Sequence, residues 1–297
     1  MTYNHPIELQ QGMKILNPKF SILIPSWNNL EILKICLNSI EKNSTFKHQV
    51  IVHINEGSDG TLEWIKQNNY SYTHSNHNVG VCYAMNAMYK LATSDYILYI
   101  NDDMYVCPNW DKSLFQAIEN QGDEYFYISS TMIEPSGLKN KCAVSPYNFG
   151  INLATFKEVE MLDFAKNTNK KDWFGASWPP SVVHRNLWEK VGGYSVEFSP
   201  GFGSDPDFSM KLWKAGVRNF RGIGNSLVYH FQSKSTARVV KNNGRLQFAK
   251  KWGIPSSYFY KNILRLGQEY DGKPLKIKKN ISYRFAQLRA IWIKISA

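Results

Sequence analysis

Three places in this 297-residue chain carry side chains that can do chemistry together: Asn101-Asp102-Asp103, Asp205-Pro206-Asp207, and His230. Neighbouring carboxylates repel unless a cation or donor group lies between them, so Asp102-Asp103 is a candidate ligand or metal site. Asp205 is a candidate general base, with Asp207 as the alternative, since either needs only to reach a proton on a bound hydroxyl. Asp205 before Pro206 also reads as a helix N-cap with proline at the first helical position. Phe208, Leu212 and Ala215 continue that helix until Gly216. A lone histidine is more often structural. His230, however, ends an apolar run (Ser226 to Tyr229) and precedes a hydroxyl-rich basic loop through Thr236, which makes it a candidate partner for a metal or phosphate.

The elements that must position these groups follow from the apolar pattern. Phe20–Pro25, Gln49–Ile54, a weaker run near Tyr72, and Tyr96–Ile100 read as strands. Between them Ile32, Leu33, Cys36, Leu37 and Ile40, then a stretch from Thr61, then Val81, Ala84, Met88 and Leu91 read as helices. Strands alternating with helices of this length imply βαβ units in a largely parallel sheet. Four strand ends carry polar or aromatic clusters, Pro25–Asn28, Asn55–Asp59, His77–Gly80 and Asn101–Asp103, and in a parallel sheet they share one rim. Further on, Trp110, Leu114 and Ile118 mark a helix and Tyr125–Ser130 a strand. Residues 131–178 show no clear period and end in a segment where Trp173 and Trp178 suit either stacking on a sugar ring or packing the sheet edge.

Composition narrows the classes. The net charge of +11 is segregated: from Lys234 onward 15 Lys or Arg face two acids, whereas the first 233 residues are close to neutral. A neutral body with no recognisable DNA or RNA motif argues against nucleic acid as the partner. The four cysteines, Cys36, Cys82, Cys107 and Cys142, lie far apart and read as reduced thiols. Met1 to Phe20 lacks a secretory pattern, and no apolar run approaches about 18 residues, so a transmembrane helix is not expected. Glycine-rich dinucleotide and P-loop signatures are absent.

Taken in order, the motifs resemble those of the inverting glycosyltransferases of family 2, with the GT-A fold. Ser21–Asn28 resembles the opening strand-Pro-x-aromatic-Asn signature. Asn55-Glu56-Gly57-Ser58-Asp59-Gly60-Thr61 is similar to the acidic glycine turn, one residue shorter. Asn78-x-Gly80, Asn86, Asn101-Asp102-Asp103, Gly203-Ser204-Asp205 and His230 follow at matching intervals, over about residues 18–236. The resemblance implies a Rossmann-like, mostly parallel sheet flanked by helices. A GT-A domain would span 18–236, with a nucleotide-donor half at 18–104 and an acceptor half at 105–236. A lead-in (1–17), a helical extension (237–272) and a basic amphipathic tail (273–297) complete the chain.

By position the resemblance implies that Pro25, Trp27, Asn55 and Glu56 frame the nucleotide, and that Asn78, Gly80, Asn86, Asn101 and Asp102 belong to the donor side. Asp103 and His230 would hold Mn²⁺ or Mg²⁺ at the diphosphate, with Asp205 as the base. Trp173, Trp178 and Ser204 fall on the acceptor side. The chain departs from the family pattern where Asn101 replaces an Asp and Ser204 a Glu. The implied activity is metal-dependent transfer of a sugar from a nucleotide-diphosphate donor, UDP favoured, to a hydroxyl of a glycan or lipid-linked glycan in bacterial surface-polysaccharide assembly. The alternatives are a catalytically silent GT-A domain that binds a nucleotide sugar or glycan and, ranked lower, a nucleic-acid-binding protein using the basic tail.

Residues 273–297 hold seven Lys or Arg and no acid. Ile281, Phe285, Leu288, Ile291, Trp292 and Ile295 fall near one helical face, with Arg284, Arg289 and Lys294 interleaved. Such a helix suits an anionic membrane surface, the alternative being a helix docked on the domain. The expected location is cytoplasmic, peripheral on the inner face of the cell membrane.

Overall fold

The computed structural model describes residues 6–137, 140–233, 242–277 and 280–295. Lys234–Thr236 of the expected basic loop and the expected boundary after residue 236 lie outside the described residues. The first half runs β1 (Glu8–Gln10), β2 (Ser21–Trp27), α1 (Leu30–Asn43), β3 (Gln49–Asn55), α2 (Thr61–Gln67), β4 (Ser71–Ser75), α3 (Gly80–Tyr89) and β5 (Tyr96–Tyr99). The second runs β6 (Met104–Val106), α4 (Trp110–Glu119), β7 (Phe126–Ile133), β8 (Ala143–Val144), α5 (Glu158–Asn167), β9 (Trp173–Phe174), β10 (Ser181–His184), α6 (Arg185–Val191), α7 (Ser204–Ala215) and β11 (Asn219–His230). Then come α8 (Gly244–Trp252), α9 (Ser256–Tyr258) running into a π-helical turn (Phe259–Ile263), and α10 (Ile281–Ile295).

The sheet order is β1-β4-β3-β2-β5-β10-β7-β11-β6, with β8 beside β7 and β9 beside β11. Strands β4, β3, β2 and β5 are mutually parallel, so their C-terminal ends do share one rim. Both faces of these strands are covered, which is why they read as unbroken apolar runs. Leu23, Ile51 and Ile97 pack toward α3, α6 and α7, while Ile22, Ile24, Val52 and Leu98 pack toward α1 and α4. Each such side chain, fully withdrawn from water, contributes roughly 1.5–3 kcal/mol of transfer free energy.

Two departures from the sequence pattern shape the site. Strand β10, only four residues, inserts antiparallel between β5 and β7. Strand β11 is far longer than its Ser226–His230 end, because a bulge between Ile223 and Leu227 lets it pair parallel with β7 along most of its length. Its last residues then pair antiparallel with β6, setting His230 opposite Met104. That register brings a histidine more than a hundred residues away alongside Asp103.

Residues beyond β11 join the same core. Phe248, Phe259, Ile263 and Leu275 are buried with Phe198, Phe208 and Leu212. All four cysteine thiols are free and buried, in α1, in α3, just after β6 and just before β8.

Candidate active site

A cleft of about 640 Å³ opens at the shared rim. Its wall brings together Pro25, Asn101, Asp102, Asp103, Trp178, Ser204, Asp205 and His230. Asp102 and Asp103 occupy the turn between β5 and β6, and both are buried. Asp102 Oδ2 accepts a 2.7 Å hydrogen bond from Ser26 Oγ on β2. Asp103 is held more tightly: its carbonyl accepts from Phe231 N, and its Oδ2 accepts from Ser233 N at 2.8 Å.

His230 lies between two carboxylates, with Nε2 3.4 Å from Asp103 Oδ2 and Nδ1 3.3 Å from Glu134 Oε1. Burial pushes the imidazole pKa down, but the Asp103 charge and the hydrogen bonds to both acids outweigh it and raise it to about 10. For Asp103, burial pushes the carboxyl up, and the His230 charge with the His230 and Ser233 hydrogen bonds outweigh it to hold it below its ordinary value. Glu134 escaped the sequence reading because it follows β7 into an aperiodic stretch. The available signal was strand pairing: Ile133 pairs with Tyr229, so the next residue on each strand meets its counterpart.

Among the described residues no group of three His, Cys, Asp or Glu side chains could hold a metal ion. Glu134 approaches the far nitrogen of His230, so it orients the ring rather than adding a ligand on the Asp103 side. Asp103 and His230 nevertheless fit a divalent cation. Their 3.4 Å separation is close to the roughly 3 Å between adjacent ligands about 2.1 Å from one small cation. Two protein ligands suffice where phosphate oxygens complete the shell; the carboxylate and phosphate oxygens suit Mn²⁺ or Mg²⁺, and the imidazole, once neutral, favours Mn²⁺ of the two.

Asp205 reaches the same cleft from α7. The N-cap is Gly203, in a left-handed conformation at φ 91°, not Asp205, which falls inside the first turn with Pro206 after it. Glycine takes this conformation without a Cβ penalty, so it displaces aspartate from the cap. The Asp205 side chain is thereby left to face the cleft. Burial pushes its pKa up to about 7, a rise that the neighbouring Ser204 hydroxyl moderates. Burial and then the Asp205 charge also hold the phenols of Tyr99 and Tyr260 well above their ordinary values, so both remain neutral donors. Asp207, the alternative base, points the other way. It is fully buried, accepting from Trp252 Nε1 at 2.8 Å and pairing with Lys251 Nζ at 2.9 Å.

On the far side of Asp205 lies a second recess of about 460 Å³. It is shared with Trp178 and floored by Arg245, Ser256 and Tyr260. It exists because Gly203 and Gly244 let the starts of α7 and α8 abut: a Cβ on Gly244 would lie 1.8 Å from the Phe202 carbonyl oxygen. Asn242 fastens this junction, accepting from Phe202 N and donating to Phe202 O. Arg245 and Tyr260 carried no signal in the sequence, since neither sits in a motif.

The remaining sequence-derived candidates do not line the cleft, and most are engaged within the fold. Asn55 Oδ1 accepts from Val79 N at 2.8 Å and its Nδ2 donates to Ser26 O, tying strand ends together. Asn86 pairs with both backbone groups of Tyr194, at 2.8 Å each. Asn78 Oδ1 accepts from Gly80 N, and Gly80 has φ 76° with Pro200 against it, where a Cβ would be 2.5 Å from the Pro200 Cα. Trp173 is buried over Gly222 with Nε1 bonded to Thr131 Oγ1, so it packs the sheet rather than facing a ligand. Ser204, by contrast, stands on the cleft wall, where its Oγ donates to Gly201 O. Trp27, half-buried, pairs with Asn55 at the rim. Glu56 and Asn28 both adopt left-handed backbone, φ 62° and 46°, and are joined by a 3.0 Å bond from Asn28 Nδ2 to Glu56 Oε2. Strain of this kind concentrates at functional turns.

Comparison with known proteins follows the same lines. No curated protein matches the chain by sequence. Among solved structures, S. aureus TarS 1-349 superposes with TM-score 0.55 at 13% identity, over 94% of this chain and 80% of that one. The same protein in complex with UDP-GlcNAc gives 0.55 at 15%, over 78% and 64%. GalNAc-T7 with UDP, GalNAc and Mn²⁺ gives 0.54 at 14%, over 77% of this chain and 45% of that one. At such identities the likeness is one of fold, and that fold is GT-A. The sequence model of Glycosyl transferase family 2 matches residues 21–173, slightly more than half of the chain. On that match the chain belongs to glycosyl transferase family 2.

Proposed function

We propose that this protein moves a sugar from a nucleotide diphosphate, UDP favoured, to an acceptor hydroxyl with inversion at the anomeric carbon, aided by Mn²⁺ or Mg²⁺. The observation that carries this reading is the presence in one cleft of a carboxylate–histidine pair and, on a separate element, a carboxylate with pKa about 7. UDP and Mn²⁺ are favoured because fold neighbours hold UDP, UDP-GlcNAc, or UDP with GalNAc and Mn²⁺.

In this reading Asp103 and His230 bind the cation, Asn101 and Asp102 line the donor side, and the Asn28–Glu56 turn frames the base. When bound, the cation supplies charge to offset the developing negative charge on the leaving diphosphate. Asp205 accepts the acceptor hydroxyl proton as that oxygen forms its bond to the anomeric carbon and the carbon–oxygen bond to the diphosphate breaks. Trp178 and Tyr260 offer the acceptor sugar an aromatic wall in the adjoining recess.

A thermal-shift panel tests donor and metal together. UDP-sugars with Mn²⁺ are expected to raise Tm, since saturation at about 100 Kd is worth about 2.7 kcal/mol. Asp103→Ala should lose the Mn²⁺-dependent part of the shift, and Asp205→Asn should keep it. No shift from UDP or any UDP-sugar, with or without Mn²⁺, would sink the proposal.

A further inference from the structure

Helix α10 presents an arrangement that the transfer reaction does not use. It docks through small residues: Ala286 and Ala290 are buried, Ala290 completely, and Tyr283 packs edge-on against Tyr258 at 6.1 Å. The docked face rests on α8. The opposite face is apolar and exposed. Phe285 is 65% accessible, Leu288 59% and Trp292 68%, with Ile281, Ile291 and Ile295 also exposed. At 100° per residue the stripe lies roughly opposite the alanines; Arg289 borders its Phe285 edge, and Arg284 sits near the other edge between Ile291 and Ile295, both arginines being exposed. Docking on the domain and presenting an apolar face are therefore both realised, on opposite sides of one helix.

A large exposed apolar patch marks an interaction site, and charge decides which partner it fits. The spacing of Ile281, Phe285, Leu288, Trp292 and Ile295, alternating four and three, also suits a coiled coil with a second copy. That pairing would set Arg284 and Arg289 against the same arginines of the other copy in either orientation, with no acid anywhere in residues 273–297 to relieve them. Nucleic acid would satisfy the arginines and leave the stripe in water. One surface satisfies both: a bilayer with anionic head groups, its acyl boundary taking the stripe and its phosphates the flanking arginines.

We infer that α10 is a membrane-docking helix that lies in the interface of an anionic bilayer. It spans 15 residues, and no described helix is long and apolar enough to cross a membrane, so the mode is surface attachment. The placement also informs the proposed reaction. Helix α8, nine residues or about 14 Å long, connects the docked face of α10 to Arg245 at the recess beside Asp205. A bilayer seated on the outer face of α10 is thus separated from the acceptor recess by α10 and the length of α8, a span that a lipid-linked acceptor with several sugars can bridge. That last step rests on the transferase reading; the docking itself does not.

The test uses the full chain without donor or metal, so its failure is distinct from failure of the transferase reading. Co-sedimentation with phosphatidylcholine vesicles containing phosphatidylglycerol should show binding, reduced by salt and by omitting the anionic lipid. Phe285→Ser combined with Leu288→Ser should weaken partitioning by at least about tenfold, both side chains being exposed and dispensable for the core. Arg284→Glu with Arg289→Glu should remove the preference for phosphatidylglycerol. Thermal midpoints matching the parent chain verify that the variants are folded. The inference is overturned if the parent chain stays in the supernatant, if the Phe285/Leu288 variant binds undiminished, or if light scattering shows a dimer that this variant dissolves while vesicles are ignored.

Discussion

Asp205 and Asp207 sit two residues apart on one helix, and the structure gives them opposite environments. Asp207 is committed to Lys251 and Trp252 in the interior, while Asp205 faces the cleft with its pKa raised to about 7. Replacing Asp205 by Asn is expected to lower transfer by about 10²–10⁴-fold, the usual contribution of a general base, with donor affinity retained. The parent enzyme should gain activity as pH rises through about 7 and then level off, because the base must be ionised. Stability should move the other way. The folded pKa lies above the unfolded value, so the folded state retains a proton that the unfolded chain releases. The resulting penalty grows from about pH 4 to about pH 7 and is full above that. Asp205→Asn should therefore raise Tm at pH 8 and leave it nearly unchanged at pH 4. A pH-independent rate, or no stability gain at pH 8, would contradict this assignment.

The elements show why parts of the site were legible and parts were not. Apolar runs and the polar clusters after them located β2, β3, β5 and the Asn101–Asp103 turn, because strands covered on both faces advertise themselves in composition. Strand β10 was not recognised: Ser181–His184 is four residues long, and only its position between β5 and β7 makes it a strand. The site lost accuracy where tertiary contacts override local type. Asparagines at motif positions, Asn55 and Asn86, bond backbone groups of distant segments, and Trp173 lies flat against β11. Gly222 makes that last contact possible, since a Cβ there would fall 1.9 Å from Trp173 Cε2. Gly222→Ala is accordingly expected to cost about 1–3 kcal/mol, or more if Trp173 cannot shift, seen as a lower urea midpoint at unchanged slope. An unaltered midpoint would mean the packing relaxes freely.

For the whole molecule, the charge asymmetry and the core lead to different conclusions about the residues after β11. The charge marks this region as separate in its surface chemistry, yet Phe248, Phe259 and Leu275 are buried with side chains of α7 and β5. Extension and catalytic region thus share one interior, which periodicity could not reveal because these helices are short and irregular. The four buried thiols give this unity a measurable form. Burial holds all four pKa values above the ordinary thiol range, so none is reactive while the protein is closed. They are spread over α1, α3, the segment after β6 and the approach to β8. A thiol-labelling time course under native conditions then becomes a built-in clock for opening, each cysteine timing its own layer. Cys142, beside the two-residue strand β8, should be modified first, and Cys36 and Cys82, packed on the two faces of the central sheet, only at the rate of global unfolding.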